Sequence, residues 1–141
     1  MTTSGVIDIA SNHSVTDTID RLEALARSNG LLVFARIDFG GDAGKAGLEM
    51  RPMQMLAFGN PKAGTPLLRE SPRSGLDLPL KALAWEDEDG RTWLSYNRPD
   101  YLAQRHGVHD RGPAVQAMTA ALEALARAAT GAQAAPNRPA E

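Results

Sequence analysis

The side chains best suited to chemistry gather in three short stretches. The first is FGNPKAGTPLL, Phe58 to Leu68, which places Asn60, Lys62 and Thr65 close together around two prolines. Free amides at a helix start, joined by the Lys62 ammonium, suit a carboxylate or a phosphate. The stretch is not a Walker loop, because Gly59 to Thr65 lacks the GxxxxGK[ST] order. Turn chemistry accounts for it equally: Asn60 is a preferred helix cap and Pro61 has the φ of a first helical position. The structural role is favoured for Asn60 and Pro61, and Lys62 is open to either.

The second stretch is GLDLPLK, Gly75 to Lys81. A lone Asp77 among leucines can titrate high and act as a general acid or base. The commoner role for such an Asp is to hold a backbone turn. The third is HGVHD, His106 to Asp110, a metal trio on paper. Ligands so close in sequence do not easily close around one ion, and a histidine at a helix end is favoured by the dipole alone. No metal, cofactor or catalytic residue is therefore assigned, since no nucleophile, base and orienting group share a motif.

The elements that position these residues follow from pattern. VIDIAS (Val6 to Ser11) alternates as a half-buried strand does. Ser14 and Asp17 form a capping sequence, after which Val15, Ile19, Leu22 and Ala26 recur at helical spacing until Asn29-Gly30. Leu31 to Asp38 has the apolar run of a buried strand, and Asp42 to Glu49 suits a short helix. Pro52 to Phe58 is a third strand that delivers the chain to Asn60. Leu80 to Trp85 and Thr92 to Tyr96 form a hairpin about Asp89-Gly90, where Gly accepts the positive φ of the turn. Pro99 to His106 and Arg111 to Ala129 are helices, the second with Val115, Met118, Leu122 and Leu125 on one face. Trp85, Trp93, Tyr96 and Tyr101 lie in or just past the hairpin, where cross-strand packing is usual.

Composition narrows the classes. A chain of 141 residues with 43% hydrophobic and 23% charged residues is one domain with a real core. That domain is expected over residues 1–130, with 131–141 a disordered tail that has nothing to bury. Net charge is −2, and the arginines, twelve of fifteen basic residues, are scattered from Arg21 to Arg138. Nucleic-acid binding, which requires a concentrated cationic footprint, is disfavoured. With no cysteine, thiolate metal sites, disulfides and cysteine nucleophiles are excluded. The N-terminus has neither the basic nor the apolar region of a signal peptide, and no stretch approaches the ~20 apolar residues of a membrane helix. A cytoplasmic protein without membrane contact is expected.

Hairpin neighbours and amphipathic helices predict an α+β fold, a mostly antiparallel sheet with helices on one face. Four motifs then carry a resemblance: Phe58-Gly59-Asn60-Pro61, Gly75-Leu76-Asp77-Leu78-Pro79, Glu86-Asp87-Glu88-Asp89-Gly90 and Tyr96-Asn97-Arg98-Pro99. Their order and spacing over Ile7 to His106 resemble the family called domain of unknown function 302. The resemblance implies a TATA-binding-protein-like architecture, a curved sheet of about five strands packed on two main helices, with no DNA binding attached. Similar chains often have a cysteine after the Leu-Pro pair, where this one has Leu80. The resemblance brings no activity with it. It makes a homodimer plausible, since a small domain with an open sheet face or edge commonly pairs with itself.

Two kinds of function are thus expected. One is a binding or homo-oligomeric interaction module, holding a small anionic ligand near Asn60, Lys62, Thr65 and Asp77. The alternative is an enzyme using Asp77 or His106 as general acid or base on a small acidic substrate.

Overall fold

A computed structural model of the chain describes residues 3–108 and 112–131. Strand β1 (Val6–Ser11) leads to helix α1 (Val15–Ser28), whose start is fixed by the Ser14 hydroxyl accepting the Asp17 amide at 3.1 Å. Val15, Ile19, Leu22 and Ala26 are buried along one face of α1, as their spacing requires. Strand β2 (Leu32–Asp38) passes directly into helix α2 (Phe39–Lys45). This helix begins earlier than Asp42 because the Asp38 carboxylate accepts the Gly41 amide. Strand β3 (Met53–Gly59) is followed by helix α3 (Pro61–Glu70) and a 3₁₀ turn over Pro72–Leu76. The hairpin of β4 (Leu80–Glu86) and β5 (Thr92–Asn97) leads to α4 (Pro99–Arg105) and α5 (Pro113–Thr130). The segment expected to be a tail lies, from residue 132 onward, outside the described residues, as do His109 and Asp110.

The five strands form one sheet in the order β1-β5-β4-β3-β2, every neighbouring pair antiparallel. The fold class is therefore α+β with an open antiparallel sheet. β1 and β2 are the two edges, so α1 must cross the full width of the sheet to join them. Register places Leu56, Ala82, Tyr96 and Ile7 in one row beneath the helices. Leu56, Ala82 and Ala84 are almost wholly buried there, and the alanines let helices approach the middle of the sheet. α5 lies beside α1, and the two are tied where Arg21 donates to the carbonyls of Ala128 and Ala129 at the end of α5.

One expectation is corrected. The apolar run Leu31 to Asp38 suggested a buried strand, yet β2 is an edge whose residues are half-buried or exposed. The pairing shifts between Val33 and Ala35, and the intervening Phe34 is left 55% exposed. A bulge of this kind breaks the ladder at an edge.

At the other end of the sheet, Gly5 meets α4. Its φ is +76°, and a Cβ there would lie 2.2 Å from Cγ of the Tyr101 ring. Replacing Gly5 by Ala should cost at least about 2 kcal/mol, from left-handed backbone strain and displacement of the ring. Urea denaturation of the variant against the parent measures this; an unchanged midpoint would mean that the ring does not rest on Gly5.

Candidate functional site

The turn after β3 is built as its residues suggest. Asn60 is extended, with φ −130° and ψ 117°, and its side-chain oxygen accepts the Lys62 amide at 3.0 Å. Its main-chain carbonyl accepts the amides of Ala63 at 2.9 Å and Gly64 at 3.0 Å. Pro61 has no N–H to offer. The first turn of α3 therefore keeps no free amide for an anion, and what remains of the expected cradle is the exposed Lys62 ammonium.

Behind this turn lies a cavity of about 470 Å³ between α3, α5 and the sheet. Phe58, Leu80, Met118 and Leu122 form its buried floor, while Phe34 and Leu68 stand exposed at its rim. Gly59, Gly64 and Gly75 line it with bare backbone. A Cβ on Gly64 would come no nearer than 4.0 Å to Cδ1 of Leu78, so the glycine leaves open volume rather than filling a tight contact. Asn60 and Thr65 are the polar side chains of the lining, and no charged side chain is among its residues. Of the expected site residues, the cavity thus brings together Asn60 and Thr65 and excludes Lys62 and Asp77.

Asp77 belongs to a separate cluster. Its Oδ2 accepts from Nε2 of His106 at 2.6 Å and from Nη1 of Arg105 at 2.7 Å. Burial pushes the Asp77 carboxyl up, but the hydrogen bonds and charges of His106 and Arg105 outweigh it and hold the group below its ordinary value. An Asp held ionised in this way is a poor general acid. The cluster ties the end of α4 to the segment just before Leu78 and Pro79, which form part of the cavity wall. Among the described residues, no group of three or more His, Cys, Asp or Glu is arranged to hold a metal ion.

Sequence reasoning missed several contributors. Phe34 was placed inside a buried strand, and Arg105 was passed over beside His106. Ala117 and Ala121 of α5 also line the cavity. They lie one turn apart next to the apolar stripe, and that pair of small residues was the available signal.

The family model described as "Domain of unknown function DUF302" matches residues 7–128. The chain belongs to this family. A crystal structure of an uncharacterized conserved DUF302 protein from Bacillus stearothermophilus superposes with a TM-score of 0.69 over 92% of this chain and 98% of that one. At 22% identity this likeness concerns the fold alone. Two curated relatives, from Brucella suis biovar 1 and Brucella abortus biovar 1, are each 43% identical over 129 residues and carry the name "Fluoride-specific ion channel FluC 1". The match takes in 91% of this chain but 51% and 48% of those proteins, so the chain spans about half of their length. Among the described residues, no helix is long and apolar enough to cross a membrane.

The lowered Asp77 pKa gives a signed expectation. Its folded value lies below the unfolded one of about 3.9, so its stabilising contribution is present above that pH and lost as pH falls through the folded value. In thermal melts, Asp77→Asn should therefore be less stable than the parent near neutrality, and the gap should close below about pH 4. A gap that stays constant on acidification would mean that the carboxylate charge is not what holds His106 and Arg105.

Proposed function

We propose that this chain is a small-ligand-binding module whose site is the cavity between α3, α5 and the sheet. The observation that carries this reading is an apolar volume of about 470 Å³ whose lining includes two polar side chains and none that is charged. Sites for small molecules have this size and this composition, mostly apolar with a few polar groups to orient the guest. The anionic ligand expected around Lys62 and Asp77 gives way in this reading to a largely apolar one. Burying a charge without a partner in such a lining is strongly unfavourable.

The channel name belongs to relatives about twice as long as this chain, and this reading assigns it no ion conduction. Catalysis by Asp77 or His106 is the weaker alternative, because Oδ2 of Asp77 and Nε2 of His106 are engaged with each other and Oδ2 also with Arg105.

Homodimerisation is a second reading, favoured by the sheet face opposite the helices. Register places Met53 beside Trp85 and Trp93, and Met55 beside Leu83, on that face. The two indoles stack at 6.4 Å. Five strands of this length present a face of roughly 24 by 20 Å. That is near the lower limit for a stable pair. Sedimentation velocity should show a weak, concentration-dependent dimer that Leu83→Lys abolishes. A monomer at all concentrations would rule out this pairing.

The cavity reading is tested by filling it. A neutral naphthylamine dye should brighten on binding the parent protein, and Gly64→Leu should weaken that binding at least about tenfold by occupying the space. The variant should fold as well as the parent, because Leu is favoured over Gly within a helix by up to about 1 kcal/mol. Undiminished dye binding by a folded Gly64→Leu variant would place the site elsewhere.

A further inference from the structure

We propose that the mouth of the cavity is a docking surface for an anionic lipid bilayer. The inference stands on the residues around the mouth, and it adds to the cavity reading a surface from which an apolar guest can enter. Phe34, Leu68 and Leu76 are exposed large apolar side chains of this corner. A Cβ at Gly59 would lie 3.9 Å from Cε2 of Phe34, and one at Gly75 would lie 3.4 Å from Cδ2 of Leu68. Both glycines line the cavity, so the two side chains stand at its edge. Leu76 follows Gly75 at the end of the 3₁₀ turn and is 77% exposed. Apolar side chains exposed singly are ordinary, but three around one opening mark an interaction site.

Charge identifies what covers them. From Gly59 to Lys81 the chain carries Lys62, Arg69, Arg73 and Lys81 against Glu70 and Asp77, in a protein whose net charge is −2. Asp77 is already held by Arg105 and His106. The four cations are exposed, and among the described residues none of them has a carboxylate within 4.0 Å. Lys81 turns its Nζ back to 3.0 Å from the carbonyl of Pro79, a residue of the cavity lining. Arg69 follows Leu68 directly, and Arg73 shares the 3₁₀ turn with Leu76. Exposed Phe and Leu flanked by unpaired Lys and Arg suit a membrane interface: the apolar groups enter the headgroup boundary and the cations meet anionic lipids. A second copy of this chain docked mouth to mouth would bring the same cations against one another. Such contact needs no spanning helix, and the expectation of no membrane contact rested on the want of one.

Co-sedimentation of the full chain with extruded vesicles tests this. Vesicles of phosphatidylcholine and phosphatidylglycerol in equal parts should bind at least about tenfold more tightly than phosphatidylcholine alone, and added salt should erase the difference. Leu76→Glu should weaken binding to the anionic vesicles at least about tenfold, through the lost apolar insertion and the added like charge. Arg73→Gln should weaken it about fivefold. Leu48→Glu is the control, since Leu48 is 66% exposed but lies outside the cavity lining. It should leave binding within about twofold of the parent, because its charge is screened from a surface it does not touch. All three positions are exposed, so each variant should melt with the parent. No binding to either vesicle overturns the proposal, while the dye test of the cavity is unaffected. Equal binding to both would remove the anionic surface. Equal losses from Leu48→Glu and Leu76→Glu would move the contact away from the mouth. A dimer that Leu76→Glu abolishes in sedimentation velocity would give the mouth to a second copy instead.

Discussion

The structure depends on one geometric constraint: helices must cover one face of a five-stranded sheet whose chain enters and leaves at opposite edges. Strands about 4.8 Å apart make such a sheet roughly 24 Å wide, while a packed helix covers about 10 Å. α1 is committed to crossing from β1 to β2, and α5 lies beside it. Their combined width falls short of the sheet. The remaining corner, beyond the end of β3, is roofed by α3 and the far side of α5, neither of which sinks into it. Ala117 and Ala121 are too short to reach down from α5, Gly64 of α3 has no side chain to do so, and Gly59 of β3 has none to extend from below. The cavity follows from small residues placed where large ones would have closed the core.

Polar chemistry is spent on the opposite task of fixing the helices against the sheet. Arg36 of β2 donates from Nε and Nη2 to the side-chain oxygen of Gln54 on β3, whose NH₂ donates to the Thr16 hydroxyl of α1. Its Nη1 also pairs with Asp20 at 2.8 Å and with Glu23 at 3.1 Å. The Glu23 carboxyl is held below its ordinary value by Arg27 first and by Arg36 second. Gln54 is nearly buried, and leaving such a group without partners would be costly. This network locks α1 to the edge strand at one position, so the crossing helix cannot slide to cover the empty corner. The open face of the sheet is bound up in the same way: Trp85 donates to Ser95, Ser95 to Asp8, and Trp93 to Asp87.

Local features of this fold were legible because their causes are local. The Ser14 cap, the Gly90 turn with φ +80° and the Asn60 cap each involve residues a few positions apart, and each was visible in the string. The Trp85–Trp93 contact was also foreseeable, since the turn of a hairpin sets which residues face one another. The apolar content of β2 misled because an edge strand bent by a bulge can carry apolar side chains out to a rim. Such a strand differs from a buried one only in what lies beside it. The Asp77–His106 pair joins residues 29 positions apart, and nothing in either neighbourhood specifies the other.

The site itself was half legible, and the division has a physical cause. Asn60 and Thr65 could be singled out because a strand-to-helix turn announces itself through Asn, Pro and Gly, and both line the cavity. The same turn chemistry works against the anion expected there: a preferred cap uses up the amides that would have held it. Satisfying the helix start and binding an anion there are competing uses of the same donors, and here the Asn60 side chain and carbonyl have taken them. What the turn retains is its position at the edge of an unfilled corner. The chemical character of this corner thus arises less from what its polar residues can hold than from what its small residues leave empty.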